Sequence, residues 1–284
     1  MSELDRYSRQ ILLPEIGSAG QERLLASSVA VVGCGALGSV IASTLVRAGV
    51  GRVRLIDRDF IELNNLQRQT LFDEEDIASG LPKAIAAAGK LRRVNSQVAV
   101  EPVVADVNPD NVERLIGDVD LVLDGTDNFE TRFLLNDACF KRGVPWVYGA
   151  VLATYGMVRA IIPRRTPCFR CFLAGMPAPG STPTCDTAGV LSTAVNVVAS
   201  LETTEGLKIL LGQEDALYGG LLYVDVWRGE FERLEMGRRD GFCPVCDLER
   251  FEFLEAREGS YLTNLCGREA VQVNVRGPTR VSFP

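Results

Sequence analysis

The sequence predicts an α/β fold: a doubly wound, mostly parallel sheet that continues into an antiparallel part and carries a set of four paired cysteines. Three observations predict it. Residues 28–57, SVAVVGCGALGSVIASTLVRAGVGRVRLID, run through an apolar stretch, a glycine-spaced turn, a helix-like segment and a second apolar stretch in the length of one βαβ unit. Strand-like and helix-like runs then alternate through the first 150 residues, as a doubly wound domain requires. Beyond them the alternation stops, and two Cys-x-x-Cys pairs bracket a long apolar helix and an antiparallel strand pair.

The elements follow in order. Residues 7–26 mix apolar and charged side chains at helical spacing and predict a helical arm crossing the first domain. Strands are expected at 29–32 and in the run that ends at Asp57, with a helix between them. Residues 58–69, closing on N-N-L-Q-R-Q, are dense in amides and suit hydrogen bonding to a polar ligand more than core packing. After the acidic stretch 72–80, Pro82 and Lys83 open a helix reaching residue 94, the proline sitting where its missing N–H is not needed. A third strand (98–104), a short helix (109–116), a fourth strand (119–123), a helix (129–142) and a fifth strand (144–151) complete the alternating half. The other half reads as a strand at 156–162, a Gly/Pro-rich loop at 175–183, a helix at 188–211 and paired strands at 221–226 and 230–234. In the tail, 248–284, Val271, Val273 and Val275 alternate with polar residues as in a half-buried strand.

The glycine turn has a physical reading residue by residue. Gly33 permits a tight turn, Gly35 lets a phosphate approach the backbone, and Gly38 lets the helix lie close on the strand with its N-terminus facing the anion. Asp57 stands where an acid takes a ribose hydroxyl. These residues do not say which nucleotide is held, and a merely tight βα turn is the competing reading. Residues 124–128, D-G-T-D-N, fall at the carboxyl end of the fourth strand, where ligands sit in open parallel sheets; Asp127 can serve a ligand there or cap the next helix. Lys83 stands near the positive end of its helix, unfavourable unless an anion is close, although a solvated lysine is the bland alternative. Arg6 and Arg9 read, from the residues alone, as solvated charges.

With 284 residues the chain can bury a sizeable core, as one large domain or a main domain with an appendage. A formal net charge of −7 argues against a general nucleic-acid surface. The opening MSELDRYSRQ has no apolar h-region, and the longest uncharged apolar-rich segment, 188–201, is too short to span a bilayer, so a cytoplasmic protein without membrane association is expected. The chain has no histidine. That removes Ser/His and Cys/His nucleophile schemes and histidine-relayed hydride transfer.

Eight cysteines in a cytoplasmic chain read as metal ligands or reactive thiols before disulfides. Cys168 with Cys171, and Cys243 with Cys246, have the gap that lets two thiolates share one tetrahedral ion, and four thiolates leave no position for water, so zinc there is structural. Iron in the same site and redox dithiols are the alternatives. Cys185 follows the Gly/Pro-rich loop and precedes a helix N-terminus, an environment that favours a reactive thiolate; a small apolar residue before a helix is the structural reading. Cys34 reads as a filler in the glycine turn and Cys139 as a core residue.

Taken together, the motifs resemble the ThiF/MoeB/HesA family of adenylyltransferases, relatives of ubiquitin-activating enzymes. The matching pieces are R-Y-S-R-Q at 6–10, G-C-G-A-L-G at 33–38, N-L-Q-R-Q at 65–69, P-K at 82–83, D-G-T-D-N at 124–128, both cysteine pairs, and T-C-D-T-A-G-V at 184–190. They keep the family order from about residue 4 to residue 247. The resemblance implies a Rossmann-like adenylation domain over 1–247, with a nucleotide half to about 150 and a zinc and carrier-binding half after it, and a C-terminal extension over 248–284. It implies MgATP where an ordinary dinucleotide fold would hold NAD. Asp57 would take the ribose, Arg9 and Lys83 the phosphates, and Asp127 the magnesium. Asn65 and Gln69 would line the nucleotide region, and Arg68 would reach into the partner subunit's site of a homodimer.

The implied substrate is the C-terminal Gly-Gly carboxylate of a small ubiquitin-like sulfur-carrier protein, which becomes an acyl adenylate as pyrophosphate leaves. Cys185 matches a cysteine that some relatives use during sulfur transfer and others do not need. Nothing after residue 247 resembles a fused rhodanese, so a separate donor, such as a cysteine desulfurase or rhodanese, is expected. An NAD-dependent oxidoreductase, a non-catalytic partner subunit, and the same chemistry on a peptide, a modified nucleoside or a conjugated protein are the competing functions. For the tail, including Cys266, a structural hairpin or a carrier-docking flap is expected.

Overall fold

Valine and isoleucine in short runs fill strands that are covered on both faces, and β1 (Ser28–Val32) is such a strand, with Val29 to Val32 buried throughout. The computed structural model describes residues 3–178, 181–237 and 242–255, together with the backbone of 262–264 and 271–273. Before β1 the arm consists of a 3-10 turn (Glu3–Tyr7), α1 (Ser8–Ile11) and α2 (Gly17–Ala26). The single helical run expected there is interrupted around Pro14, whose ring and missing N–H do not continue a helix. Tyr7, 2% exposed, pins the arm: its hydroxyl accepts from Asn95 Nδ2 at 2.8 Å, and its ring lies against Gly49.

After β1 come α3 (Ala36–Ala48), β2 (Arg52–Ile56), α4 (Glu74–Ser79), α5 (Lys83–Val94), β3 (Ala99–Val103), α6 (Val112–Ile116), β4 (Leu121–Asp124), α7 (Phe129–Arg142) and β5 (Trp146–Leu152). Apart from α4, a helix capped by Asp73 within the stretch read only as acidic, these match the expected alternation with ends displaced by a few residues. Then follow β6 (Tyr155–Ile161), α8 (Phe169–Phe172), α9 (Cys185–Ala188), α10 (Ser192–Leu210), β7 (Leu221–Asp225) and β8 (Glu230–Leu234). All eight strands form one sheet in the order β3-β2-β1-β4-β5-β6-β7-β8. Pairing is parallel from β3 through β5 and antiparallel from β5 through β8, as the sequence predicts. The strand order reverses between β1 and β4, which opens a crevice beyond their carboxyl ends.

Two cores flank the sheet. One packs α3, α5 and α10 against Val29, Val31, Leu55 and Leu123; the other packs α6 and α7 against Ala30, Val32, Val122 and Trp146. The second core also takes in Cys168, Phe169, Cys243 and Phe253, so the cysteine lobe packs directly on α7. Asn136 and Asp137 of α7 fix that contact: Asn136 Oδ1 accepts from Phe169 N at 2.8 Å, and Asp137 Oδ2 accepts from Phe253 N at 2.9 Å.

The helix expected over 188–211 starts later than its apolar pattern suggests. Gly189 takes φ +73°, Ala153 N donates to Gly189 O at 2.9 Å, and Leu191 N donates to Ala153 O at 2.8 Å. This parallel bridge between Ala153 and Val190 draws residues 189–191 out of helical geometry, leaving four-residue α9 and a separate α10. In the tail, β9 (Leu262–Asn264) and β10 (Val271–Val273) pair antiparallel, while Val275 and Cys266 lie outside the described residues. Among the described residues no helix is long and apolar enough to cross a membrane.

Candidate functional site

The glycine turn lies at the β1/β4 switch. Gly33 has φ +90°, donates its N–H to Ile56 O at 2.8 Å, and a Cβ there would meet Gly125 O at 2.5 Å. A Cβ on Gly38 would stand 1.8 Å from Gly33 O, so only glycine allows α3 to lie this close to the turn. Gly35 is different. Its nearest neighbour in the direction of a Cβ is Gln69 Nε2 at 3.7 Å, so the backbone at the start of α3 stays open to a ligand.

Asp57 follows β2 and is tied to this turn, its Oδ2 accepting from Cys34 N at 2.6 Å and its Oδ1 from Asp59 N at 2.7 Å. Burial raises its pKa above the usual carboxylate range, against the opposing charge of Lys83. Lys83 is the first residue of α5 and only 7% exposed. Its N–H donates to Asp59 O at 2.8 Å and its Nζ stands 3.8 Å from Asp59 Oδ2. Asp57 and Asp59 both face this nearly buried lysine, which stands at the positive end of a helix, where the helix dipole disfavours a cation and favours an anion. Cys34 is buried with its thiol pushed up, burial first and Asp57 second, so it is a filler and no nucleophile.

Asn65 and Gln69 are buried within the amide-rich segment. Asn65 Oδ1 accepts from Glu62 N at 3.1 Å, while Gln69 Oε1 is buried without a partner beside the open face of Gly35. Arg68 is half-buried and its Nη1 donates to Asn64 O at 2.8 Å. Arg9 is exposed on α1 and has no ion-pair partner among the described residues.

Asp127 is exposed in the loop after β4. The cap of α7 belongs to Asn128, whose Oδ1 accepts from Thr131 N at 2.8 Å, so the Asp127 carboxylate does not serve as the cap. Cys185 begins α9 behind the reciprocal Thr184–Thr187 cap, and its Sγ approaches Val151 O of β5 at 3.9 Å. The carboxyl ends of β1, β2, β4 and β5 therefore carry the glycine turn, Asp57, Asp127 and the contact with Cys185.

Two supports of this crevice escape a reading of the sequence. Arg132 of α7, 6% exposed, donates from Nε to Asp124 Oδ2 at 2.9 Å and from Nη2 to Thr126 O at 2.7 Å and Gly149 O at 3.0 Å. It ties the Asp127 loop to β5. Glu202 of α10, fully buried, accepts from Asp124 N at 2.9 Å. Their only sequence signal is a charge placed on the inward face of an otherwise ordinary helix.

The paired cysteines converge. The four sulfurs lie within 4.8 Å of one another, with Cys168–Cys171 at 3.9 Å, Cys168–Cys243 at 3.6 Å and Cys171–Cys246 at 3.7 Å. A tetrahedron with zinc–sulfur bonds of about 2.3 Å has edges of about 3.8 Å, so the donor set fits zinc. Cys246 N also donates to Cys243 Sγ at 3.5 Å, a bond that favours a thiolate.

Residues 7–245 match the family described as the ThiF family. The chain is 42% identical over 269 residues to the sulfur carrier protein ThiS adenylyltransferase of Bacillus subtilis, covering 94% of this chain and 79% of that one. It is also 42% identical over 245 residues to the SAMP-activating enzyme E1 of Haloferax volcanii, covering 86% and 89%. Among solved structures, Escherichia coli MccB with ATP superposes with a TM-score of 0.73 at 23% identity, over 85% of this chain and 74% of that one, a likeness of fold.

Proposed function

The chain belongs to the ThiF family, and from that premise we propose that it adenylates the C-terminal Gly-Gly carboxylate of a small ubiquitin-like sulfur-carrier protein, preparing it for sulfur transfer. Lys83 carries this reading: a nearly buried ammonium at the start of α5, electrostatically coupled to Asp57 beside an open glycine turn, calls for a phosphate. ATP is the nucleotide. Its ribose goes to Asp57 and its phosphates to Lys83 and Arg9, with Asn65 and Gln69 lining the nucleotide and the unpartnered Gln69 Oε1 available to a donor. Asp127, exposed and released from capping, suits a magnesium ion shared with phosphates and waters.

The nucleophile is a carboxylate already ionised near neutral pH, so no base is needed and the absence of histidine costs nothing. A carboxylate oxygen bonds to the α-phosphorus, the bond to the bridging oxygen breaks, and pyrophosphate leaves. The obstacle is repulsion between anions, about 4 kcal/mol per pair of unit charges at 4 Å with an effective dielectric of about 20. Arg9, Lys83 and a partner's copy of Arg68 oppose it, and magnesium at Asp127 supplies further charge neutralisation when bound.

Exposed Phe60, Leu63 and Leu81, on the two segments that the Phe60–Pro82 bridge joins, support a homodimer. Exposed Trp227 and Phe231 at the sheet edge support carrier docking on the antiparallel half. Zinc joins Cys168, Cys171, Cys243 and Cys246 as a structural ion. Cys185 exchanges with the activated carrier or with a separate sulfur donor. In this reading residues 1–247 are the adenylation unit, 248–284 an extension, and the reduced cysteines belong in the cytoplasm. The test is incubation with MgATP and each small Gly-Gly protein of the same cell, followed by mass measurement: a C-terminal AMP adduct on one carrier is expected. Mass gain on a peptide or nucleoside instead would overturn the substrate assignment.

A further inference from the structure

Arg159 of β6 is 3% exposed, and its Nε and Nη1 have no hydrogen-bond partner. Its Nη2 donates to the carbonyl of Pro167, next to Cys168, at 3.3 Å, and its guanidinium lies 5.6 Å from the ring of Phe172, next to Cys171. Burial pulls its pKa down from the usual range, and the thiols of Cys171 and Cys168 are the groups whose charge acts against that pull. Of the two acids of the adjoining cleft, Glu214 is already held by Arg165 and Asp215 is exposed to solvent. A buried guanidinium with two idle donors is strongly unfavourable unless charge elsewhere offsets it.

The cysteine cluster supplies that charge in full only when loaded. Thiols that keep their protons offer none, whereas one divalent ion on four thiolates carries two net negative charges in an apolar shell. We propose that Arg159 is a positioning residue of the metal centre, the buried counter-charge that stabilises the loaded tetrathiolate and is itself stabilised by it. The inference rests on the cluster holding zinc. It predicts that one substitution has opposite effects in the two states of the protein.

The test uses the full chain, stripped by chelator under reducing conditions or loaded with zinc, as wild type, Arg159→Met and Arg159→Lys. Methionine keeps the buried stem without the charge, and lysine keeps a charge. Arg159→Met is expected to raise the melting temperature of the stripped protein, and to weaken zinc affinity, measured by competition with a chromophoric chelator, about 10- to 100-fold. Arg159→Lys is expected to recover most of that affinity. Unchanged zinc affinity in Arg159→Met, or equal destabilisation of stripped and loaded forms, would overturn the inference while leaving the zinc assignment standing. Wild-type protein that takes up no zinc would overturn both.

Discussion

Replacing Glu202 by glutamine should stabilise the protein, and increasingly so as pH rises. Glu202 is fully buried; its Oε1 accepts from Asp124 N, its Oε2 has no partner, and a Cβ on Gly149 would stand 1.9 Å from that oxygen. Burial first, and the nearby Asp124 second, push its pKa well above the ordinary 4.5. The folded protein therefore keeps a proton that the unfolded chain releases above about pH 4.5. Below that value both states are protonated and the term vanishes; above it the wild type loses about 1.4 kcal/mol per pH unit until the folded-state pKa is reached. At pH 7.5, about three units higher, the loss reaches at most about 4 kcal/mol, or about 8 °C in melting temperature for a chain of this size. Glutamine keeps the acceptor for Asp124 N and carries no titration. Thermal unfolding of both proteins from pH 4.5 to 8 should show a gap that opens steadily. A constant gap, or a glutamine variant less stable than wild type at pH 8, would refute the buried neutral acid.

Asp137, whose pKa is pushed up to about 7 by burial, should show a gap of different shape: Asp137→Asn gains on wild type between about pH 4 and 7 and levels off above, in the same unfolding series. Lys83→Ala and Asp127→Asn should each lower ATP–pyrophosphate exchange about 10²-fold or more with little change in melting temperature, and near-normal exchange would remove them from the phosphate site. Cys185→Ala should leave carrier adenylation intact and slow thiocarboxylate formation in the presence of a sulfur donor; normal thiocarboxylate yield would leave Cys185 a structural residue.

The glycine turn and the cysteine pairs were legible because their constraints are local or combinatorial. Gly38 must be glycine for the sake of Gly33 O, five positions earlier, and each Cys-x-x-Cys half presents two thiols whatever surrounds it. The helix over 188–211 was misjudged at its start because the bridge to Ala153 lies far away in the chain, and no periodicity announces it. The choice between ligand and cap at residues 127–128 was also beyond the sequence, since both side chains are competent caps and only the backbone path selects Asn128.

What the sequence determined by itself was the order of strands and helices, the turn that opens the β1/β4 crevice, and the family chemistry carried by its motifs. Apolar periodicity, glycine spacing and paired thiols act over a few residues, so they survive reading in one dimension. The tertiary structure decided which charges go inside. Arg132, Arg159 and Glu202 look like surface residues of ordinary elements, and only the packing of α7, β6 and α10 takes water from them. Losing water turns a solvated charge into one that must find a partner or a proton, and that requirement made these three residues informative.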